Sequence, residues 1–324
     1  MNSDSVKEAP AGNGQERVIW AWFPVTLLTA VFCCVLWGSA SPAIKIAYEL
    51  FKIGPEDTAS RIMLAGARFM IAGAMTIVFG SLLARKFLVP KRESWRNVAI
   101  LAMVQTVGQY YFFFMALANA SSVRCTIINA AGNFFTILLA ALVFRLEKMT
   151  IRKLAGCVIG FAGILLILGG ISAFFQAGGF SFAGEGAILL ASMFYAFSAC
   201  LIKIFSEYEN PVVLSGYQFV LGGLILILIG AAMGGTLYFT SGACFVNLVY
   251  MGFISAGAYT LWGILLKYNP VSKVAILGFF NPVMGVILSA LLLGENREAF
   301  SINGLLALLL VSAGIMIVNT GAKR

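Results

Sequence analysis

Few residues in this chain could do chemistry, and most of them lie in apolar surroundings. Arg68, in "GARFMIAG", stands several residues inside a long apolar run, where a guanidinium at a helix centre costs roughly 2.5–3.5 kcal/mol on insertion scales. Such a charge belongs against a wet cavity or backbone carbonyls, and there it can hold a carboxylate. In "CVLWGSASPAIKIAYEL", Gly38, Ser41 and Lys45 recur at helical spacing and make a small, polar stripe that points inward. The same stripe also fits a plain packing face with Lys45 snorkelling to the surface. Pro42 has no amide to donate, so the Gly38 carbonyl must find another partner, and irregular backbone is tolerated only against protein or water. Pro282 repeats the device by freeing the Gly278 carbonyl, and each of the two prolines predicts a kink.

Gln105, Gln109, Tyr110 and Tyr111 fall in one apolar run, Tyr259 and Trp262 in another, and Asn133 and Asn281 in two more. Amides and aromatic rings together hold amphipathic solutes by hydrogen bonding and stacking. Of these, Gln109, Tyr111, Tyr259 and Asn281 are the leading candidates for solute contact. Glu147 and Glu295 end their runs, where helix capping or ion pairing is expected.

What is missing narrows the field. The chain has no histidine, no carboxylate near the middle of an apolar run, and no phosphate-binding loop. A conventional proton relay and a primary pump both lack their parts. Only Glu49, Glu185 and Glu207, at run ends, could carry protons. No catalytic cluster and no metal or cofactor set is visible, so the expectation is a protein that is not an enzyme and binds no cofactor or metal. The six cysteines show no CxxC pairing and read as small, buried thiols.

These residues are positioned by membrane helices. Hydrophobic residues make up 60% of the chain, charged residues 11%, and mean hydropathy is +0.94, which defines an all-α polytopic membrane protein. Apolar runs at about 22–46, 62–83, 98–118, 122–144, 154–174, 184–204, 212–234, 245–266, 274–293 and 304–320 give ten transmembrane helices. A polar, disordered cytoplasmic tail over 1–21 precedes them, a loop at 175–183 divides them, and a short cytoplasmic tail at 321–324 follows. The first run is too long, and is followed by too many others, to be a cleaved signal peptide. The net charge of +9 is not a nucleic-acid signature, because the basic residues cluster between runs. Sixteen of the 22 Lys and Arg fall on one side if the N-terminus is inside, so both termini are expected in the cytoplasm of a plasma (inner) membrane, bacterial in character.

The halves echo each other. "VLWGSASPAIKIAYE" (35–49) over "MFYAFSACLIKIFSE" (193–207) pairs Trp37 with Tyr195, Lys45 with Lys203 and Glu49 with Glu207, while Cys200 stands opposite Pro42. "GARFMIAG" over "GYQFVLGG" pairs Arg68 with Gln218. Further on, Tyr111 meets Tyr259, Asn133 meets Asn281 and Glu147 meets Glu295, at offsets of 148 to 158 residues. Five runs per copy reverse the second copy's direction, which makes an inverted-topology repeat: 22–174 and 184–320.

With "WGSASPAIK", "ARFMIAG" and the long 115–167 run echoed over 269–318, the sequence resembles the EamA-type branch of the drug/metabolite transporter superfamily over residues 25–320. It departs at Asn133-Phe134, where the first copy lacks the proline that the second keeps as Asn281-Pro282. The resemblance implies two five-helix bundles around a central cavity lined by helices one to four and six to nine, with five and ten peripheral. It also implies secondary transport, often export, of small metabolites by alternating access.

The expected activity is therefore transport of amino acids or organic acids, with Arg68 and the lysines favouring a carboxylate. A multidrug or nucleotide-sugar transporter of the same fold, or a non-transporting membrane receptor or scaffold, are the alternatives. Partners are a small-molecule solute and the lipid bilayer, without nucleic acid, and association into a homodimer is left open.

Overall fold

The computed structural model describes residues 19–146, 148–170, 180–269, 277, 278 and 280–320. Residues 1–18 of the expected tail, the tail at 321–324, most of the 175–183 loop, Glu147 and Lys273 lie outside these. Residues 19–21, expected in the tail, are already helical.

Among the described residues all regular structure is helical. The helices are α1 (Phe23–Leu50), α2 (Thr58–Ala84), α3 (Arg92–Asn119), α4 (Ser122–Val143), α5 (Ile151–Ile167), α6 (Phe182–Phe205), α7 (Pro211–Ala232), α8 (Gly242–Tyr268), α9 (Phe280–Leu293) and α10 (Ile302–Thr320). Seven helical stretches are long and apolar enough to cross a membrane: α1–α4, α6, α7 and residues 242–262 of α8. Large apolar side chains such as Leu28, Leu82, Val158, Leu228, Leu291 and Leu309 point outward, as they do where hydrocarbon is the solvent. This is an integral membrane protein.

Local chemistry sets the boundaries. The Asp57 carboxylate accepts from Ser60 N at 2.9 Å to start α2, and Arg85 ends it in the left-handed conformation with φ 50°. Between α3 and α4 the chain breaks at Ala120, and Ser121 Oγ accepts from Arg124 N at 3.1 Å, so the short "ANASSVR" separates two helices. Helix α5 stops at Ile167 rather than near 174, because Gly169 and Gly170 take φ 89° and 78°, a backbone that only glycine adopts cheaply.

The helices of the two halves interleave. α2 crosses α7, α5 lies along α10, α1 packs on α8 and α9, and α6 packs on α3 and α4. Each half buries its faces against the other. The α2–α7 crossing depends on glycines seven residues apart, Gly66, Gly73 and Gly80 against Gly216, Gly223 and Gly230. A Cβ on Gly66 would lie 2.6 Å from the Gly223 carbonyl oxygen, and one on Gly223 would lie 2.8 Å from that of Gly66. Small residues let backbones meet where lipid offers no hydrophobic drive to associate.

Among the described residues α1, α3 and α4 depart from regular α geometry where they border the centre, and α6 opens with a π-helical turn over Phe182–Gly186. α1 is interrupted at Ser39, whose Oγ donates to Leu36 O at 2.8 Å and lies 2.7 Å from the Tyr250 hydroxyl. Its partner α6 runs unbroken from Ala187 to Phe205. α4 is interrupted at Ala130 without any proline, and there Asn133 N donates to Ala130 O at 3.1 Å. The same short turn recurs before α9, where Asn281 N donates to Gly278 O at 3.1 Å. The Gly278 carbonyl is therefore satisfied rather than freed by Pro282. α3 carries a π-helical segment over Ala102–Gln109, which nothing in the sequence pattern announced.

Candidate functional site

These irregular segments surround a central cavity of about 380 Å³. Its lining comes from α1–α4 and α6–α8 together with Gly278, Asn281 and Pro282, while α5 and α10 contribute nothing. Trp37, Gly38, Ser41, Arg68, Gln109, Asn133, Tyr195, Tyr259, Trp262, Asn281 and Pro282, all singled out in the sequence, meet there.

Arg68 has the most unusual environment. It is 2% exposed; Nε donates to Met251 O at 3.2 Å and Nη2 to Ser255 Oγ at 3.3 Å, and both partners are on α8. Its third nitrogen, Nη1, is buried without any partner. The guanidinium carbon lies 5.1 Å from the Phe69 ring centre and 5.6 Å from that of Tyr110, so aromatic faces rather than an anion offset the charge. Among the described residues no carboxylate pairs with Arg68 or lines the cavity. Two more lining atoms lack partners, Gln109 Oε1 and Thr260 Oγ1. Buried polar atoms left open cost about 1–3 kcal/mol each unless water or a ligand meets them.

The aromatic wall is built around Trp37. Its ring meets Trp262 edge-on at 5.2 Å and Tyr259 at 5.9 Å, and Tyr259 packs on Phe219 at 5.3 Å. Gly38 lets α1 press against α9, because a Cβ there would lie 2.7 Å from Gly285 N.

Four candidates fall elsewhere. Tyr111 packs edge-on against Phe112 at 5.1 Å and does not line the cavity, whereas Tyr110 does. The π-helical turns before it hold more residues than an α-turn, so the faces beyond are rotated from ideal spacing. Gln218 is fully buried behind the wall, bonded to Gln105 and Thr106. Lys45 reaches Glu295 at 3.4 Å, beyond the cavity. Lys203 is exposed on α6. The predicted kink residue Pro42 is buried three residues past the break at Ser39, the turn in which its missing amide leaves the Gly38 carbonyl without a helical donor.

Glu295 is a tie rather than a solute contact. Its carboxylate accepts from Ser122 N at 3.0 Å and Val123 N at 2.8 Å while holding Lys45, so the turn after α9 caps α4 and fastens α1 at one point. Nearby, Arg124 pairs with Glu185 and, at 3.1 Å, with Glu298. Glu185 is thereby committed, and Glu49 and Glu207 are exposed away from the cavity. The Glu295 and Arg124 ties lie at the end where α1 meets α2. At the opposite end the lining reaches Pro211 and Val212, the first turn of α7, where Pro211 is exposed. The lining thus extends to the Pro211 end, whereas no residue of the Glu295 tie lines the cavity.

The sequence pattern missed several short polar side chains that face the cavity, Thr76, Thr126, Asn129, Ser198, Ser215 and Thr260. Single Ser, Thr or Asn residues on apolar helices are common, and only packing tells which ones face inward.

The profile of the EamA-like transporter family matches residues 24–169 and again residues 182–320. The chain belongs to the EamA-like transporter family. Among this family member's relatives, a chloroplast WAT1-related protein of Arabidopsis thaliana is 26% identical over 301 residues, 90% of this chain and 68% of the relative. A probable amino-acid metabolite efflux pump of Salmonella typhimurium is 26% identical over 303 residues, 89% of this chain and 92% of the relative. A similarly described pump of Escherichia coli is 26% identical over 291 residues, 85% and 89% of the two chains. A solved structure superimposes with a TM-score of 0.64 over 92% of this chain and 99% of its own, at 20% identity, which establishes a shared fold.

Proposed function

We propose that this EamA-like protein is a secondary transporter, an exporter or exchanger, of small metabolites that carry a carboxylate, such as amino acids or organic acids. The carrying observation is Arg68, buried at the cavity wall with Nη1 unpartnered and no carboxylate among the described lining residues. A solute carboxylate would supply the missing acceptor and charge, and charge-assisted hydrogen bonds are the strong ones. Gln109 Oε1 offers an acceptor for an ammonium or hydroxyl, and the Trp37–Tyr259–Trp262 surface offers apolar contact. Relatives described as probable amino-acid metabolite efflux pumps support the same solute class.

In this reading ten helices cross the membrane as two inverted repeats, and the twice-matching family profile supports the duplication. So does the packing, since exchanging the halves turns α1 on α8 and α9 into α6 on α3 and α4. With the N-terminus cytoplasmic, as the charge distribution favours, the Pro211 end faces the cytoplasm and the Glu295 end is the outer side. Transport then alternates between this state and one in which the outer tie is broken and the cytoplasmic mouth shut.

Counterflow in liposomes tests the reading. The protein should exchange amino acids or organic acids and ignore cationic drugs and nucleosides. Arg68→Ala should lower exchange of the accepted acid at least tenfold, and unchanged kinetics in that variant would refute the assignment of Arg68.

A further inference from the structure

Gln218, the residue matched to Arg68 in the second half, is fully buried and touches no part of the cavity, yet it sits in a chain of hydrogen bonds that ends there. Thr106 Oγ1 donates to Gln218 Oε1 at 2.7 Å, Gln218 Nε2 donates to Gln105 Oε1 at 2.7 Å, and Gln105 Nε2 donates to the Tyr259 hydroxyl oxygen at 3.0 Å. Every donor points the same way, and bonds arranged head to tail polarise one another. The close approach of α3 and α7 that allows this is set by Gly222, where a Cβ would stand 2.4 Å from Thr106 Cβ. The π-helical segment of α3 then presents both Gln105 and Thr106 to Gln218.

Counting protons gives the consequence. With its oxygen accepting from Gln105, Tyr259 directs its own proton onward, either into the cavity or toward Tyr110, the other phenol packed on the Phe69–Phe219 cluster. If Tyr110 receives it, Tyr110's proton takes its place. Both phenols line the cavity, so one phenol proton is left over at the wall in either case. Tyr110 is also the ring beside the Arg68 guanidinium. The two groups form a donor pair suited to the two oxygens of one carboxylate.

We infer that Gln218 is a positioning residue for carboxylate recognition: through Gln105 it fixes the phenol pair as a donor, so that the solute carboxylate is held by Arg68 Nη1 and a tyrosine hydroxyl together. This rests on the carboxylate reading of the cavity. Without Gln218, the Gln105 amide is free to turn over and accept the Tyr259 proton, which removes the second donor. Gln218 thus serves the site at one remove, where its counterpart Arg68 serves it directly.

The experiment uses two probes of one shape, 3-phenylpropanoate and 3-phenylpropanamide, bound to the full-length protein in nanodiscs and followed by tryptophan fluorescence, since Trp37 and Trp262 line the cavity. Wild type should prefer the carboxylate by at least tenfold. Gln218→Met should weaken the carboxylate about fivefold and leave the amide unchanged, because a carboxylate can only accept and loses its second donor, whereas the amide can turn its NH2 to donate to the phenol oxygen. Tyr110→Phe/Tyr259→Phe should remove the same increment, and adding Gln218→Met to it should change nothing more. If wild type shows no carboxylate preference, the carboxylate reading falls and this inference with it. If wild type prefers the carboxylate but Gln218→Met weakens both probes alike, leaves both unchanged, or multiplies with the tyrosine variants, the positioning role alone is overturned. Should Gln218→Met not fold, Gln105→Met cuts the chain one link nearer and carries the same expectations.

Discussion

Lys45 and Lys203 occupy matched "IKI" stretches, yet the folded protein treats them differently. Lys45 is drawn into the Glu295 tie that joins α1, α4 and the turn after α9, whereas Lys203 stands exposed with no ion pair among the described residues. The helices that carry them differ too: α1 is interrupted at Ser39 beside the cavity and α6 is continuous. Two similar segments thus end in different surroundings, one in an ion-paired tie and one at the surface.

Breaking the tie should have the largest effect. Glu295→Ala leaves two amides at the α4 N-terminus and a partly buried Lys45 without their acceptor, a loss of about 3 kcal/mol. It should lower the thermal midpoint and speed labelling of a cysteine placed at Ser41 in a cysteine-free background, using a reagent confined to the Glu295 side. Lys203→Ala should change neither measurement. Equal effects of the two variants would mean that the two ends are not distinct.

A smaller contrast concerns the same helices about two turns earlier. Gly38 presses on the α9 backbone, while its counterpart is the fully buried Ala196. Gly38→Ala should cost about 1–3 kcal/mol by overpacking. Ala196→Gly should cost about 1 kcal/mol through helix propensity. Thermal unfolding in detergent ranks the pair, and the reverse order would show that α1 is not the more tightly pressed of the two.

The smallest expected effect is at the Pro211 end, where another carboxylate accepts two backbone amides. Glu209 receives Lys91 N at 2.8 Å and Asn210 N at 2.9 Å, tying the α2–α3 connection to that between α6 and α7. Burial pushes its carboxyl upward, but these amides, the Ser94 hydroxyl and the Lys91 charge outweigh it and hold the pKa below the ordinary value. A depressed pKa contributes stability that is present above the ordinary carboxylate range and lost as pH falls through the lowered value. The thermal midpoint of wild type should therefore drop more steeply with acid than that of Glu209→Gln.

Much of the site could be read from residue types. A guanidinium inside an apolar run has few places to go, so Arg68 was bound to face the interior. Paired asparagines, the Trp37 stretch and Tyr259 followed from the echo between halves. Tyr111 failed because the π-helical segment rotates α3 beyond Gln109, and hydrogen-bond phase is not encoded in hydrophobic periodicity. Gln218 failed for a related reason: a polar residue matched to Arg68 looked like a second wall residue, but its amide found partners on α3 before reaching the cavity.

By itself the sequence determined the class of solvent, the number and rough limits of the apolar runs, the charge asymmetry and the internal echo, since hydropathy and spacing act locally and survive without contacts. Only the tertiary structure decided which faces meet. Glycine contacts chose the α2–α7 crossing, the interleaving of halves chose the cavity wall, and Glu295 chose how α1 is fastened to the start of α4. Those outcomes depend on partners more than a hundred residues apart, and no local rule specifies whether a buried amide or carboxylate will satisfy a neighbouring helix or wait for a solute.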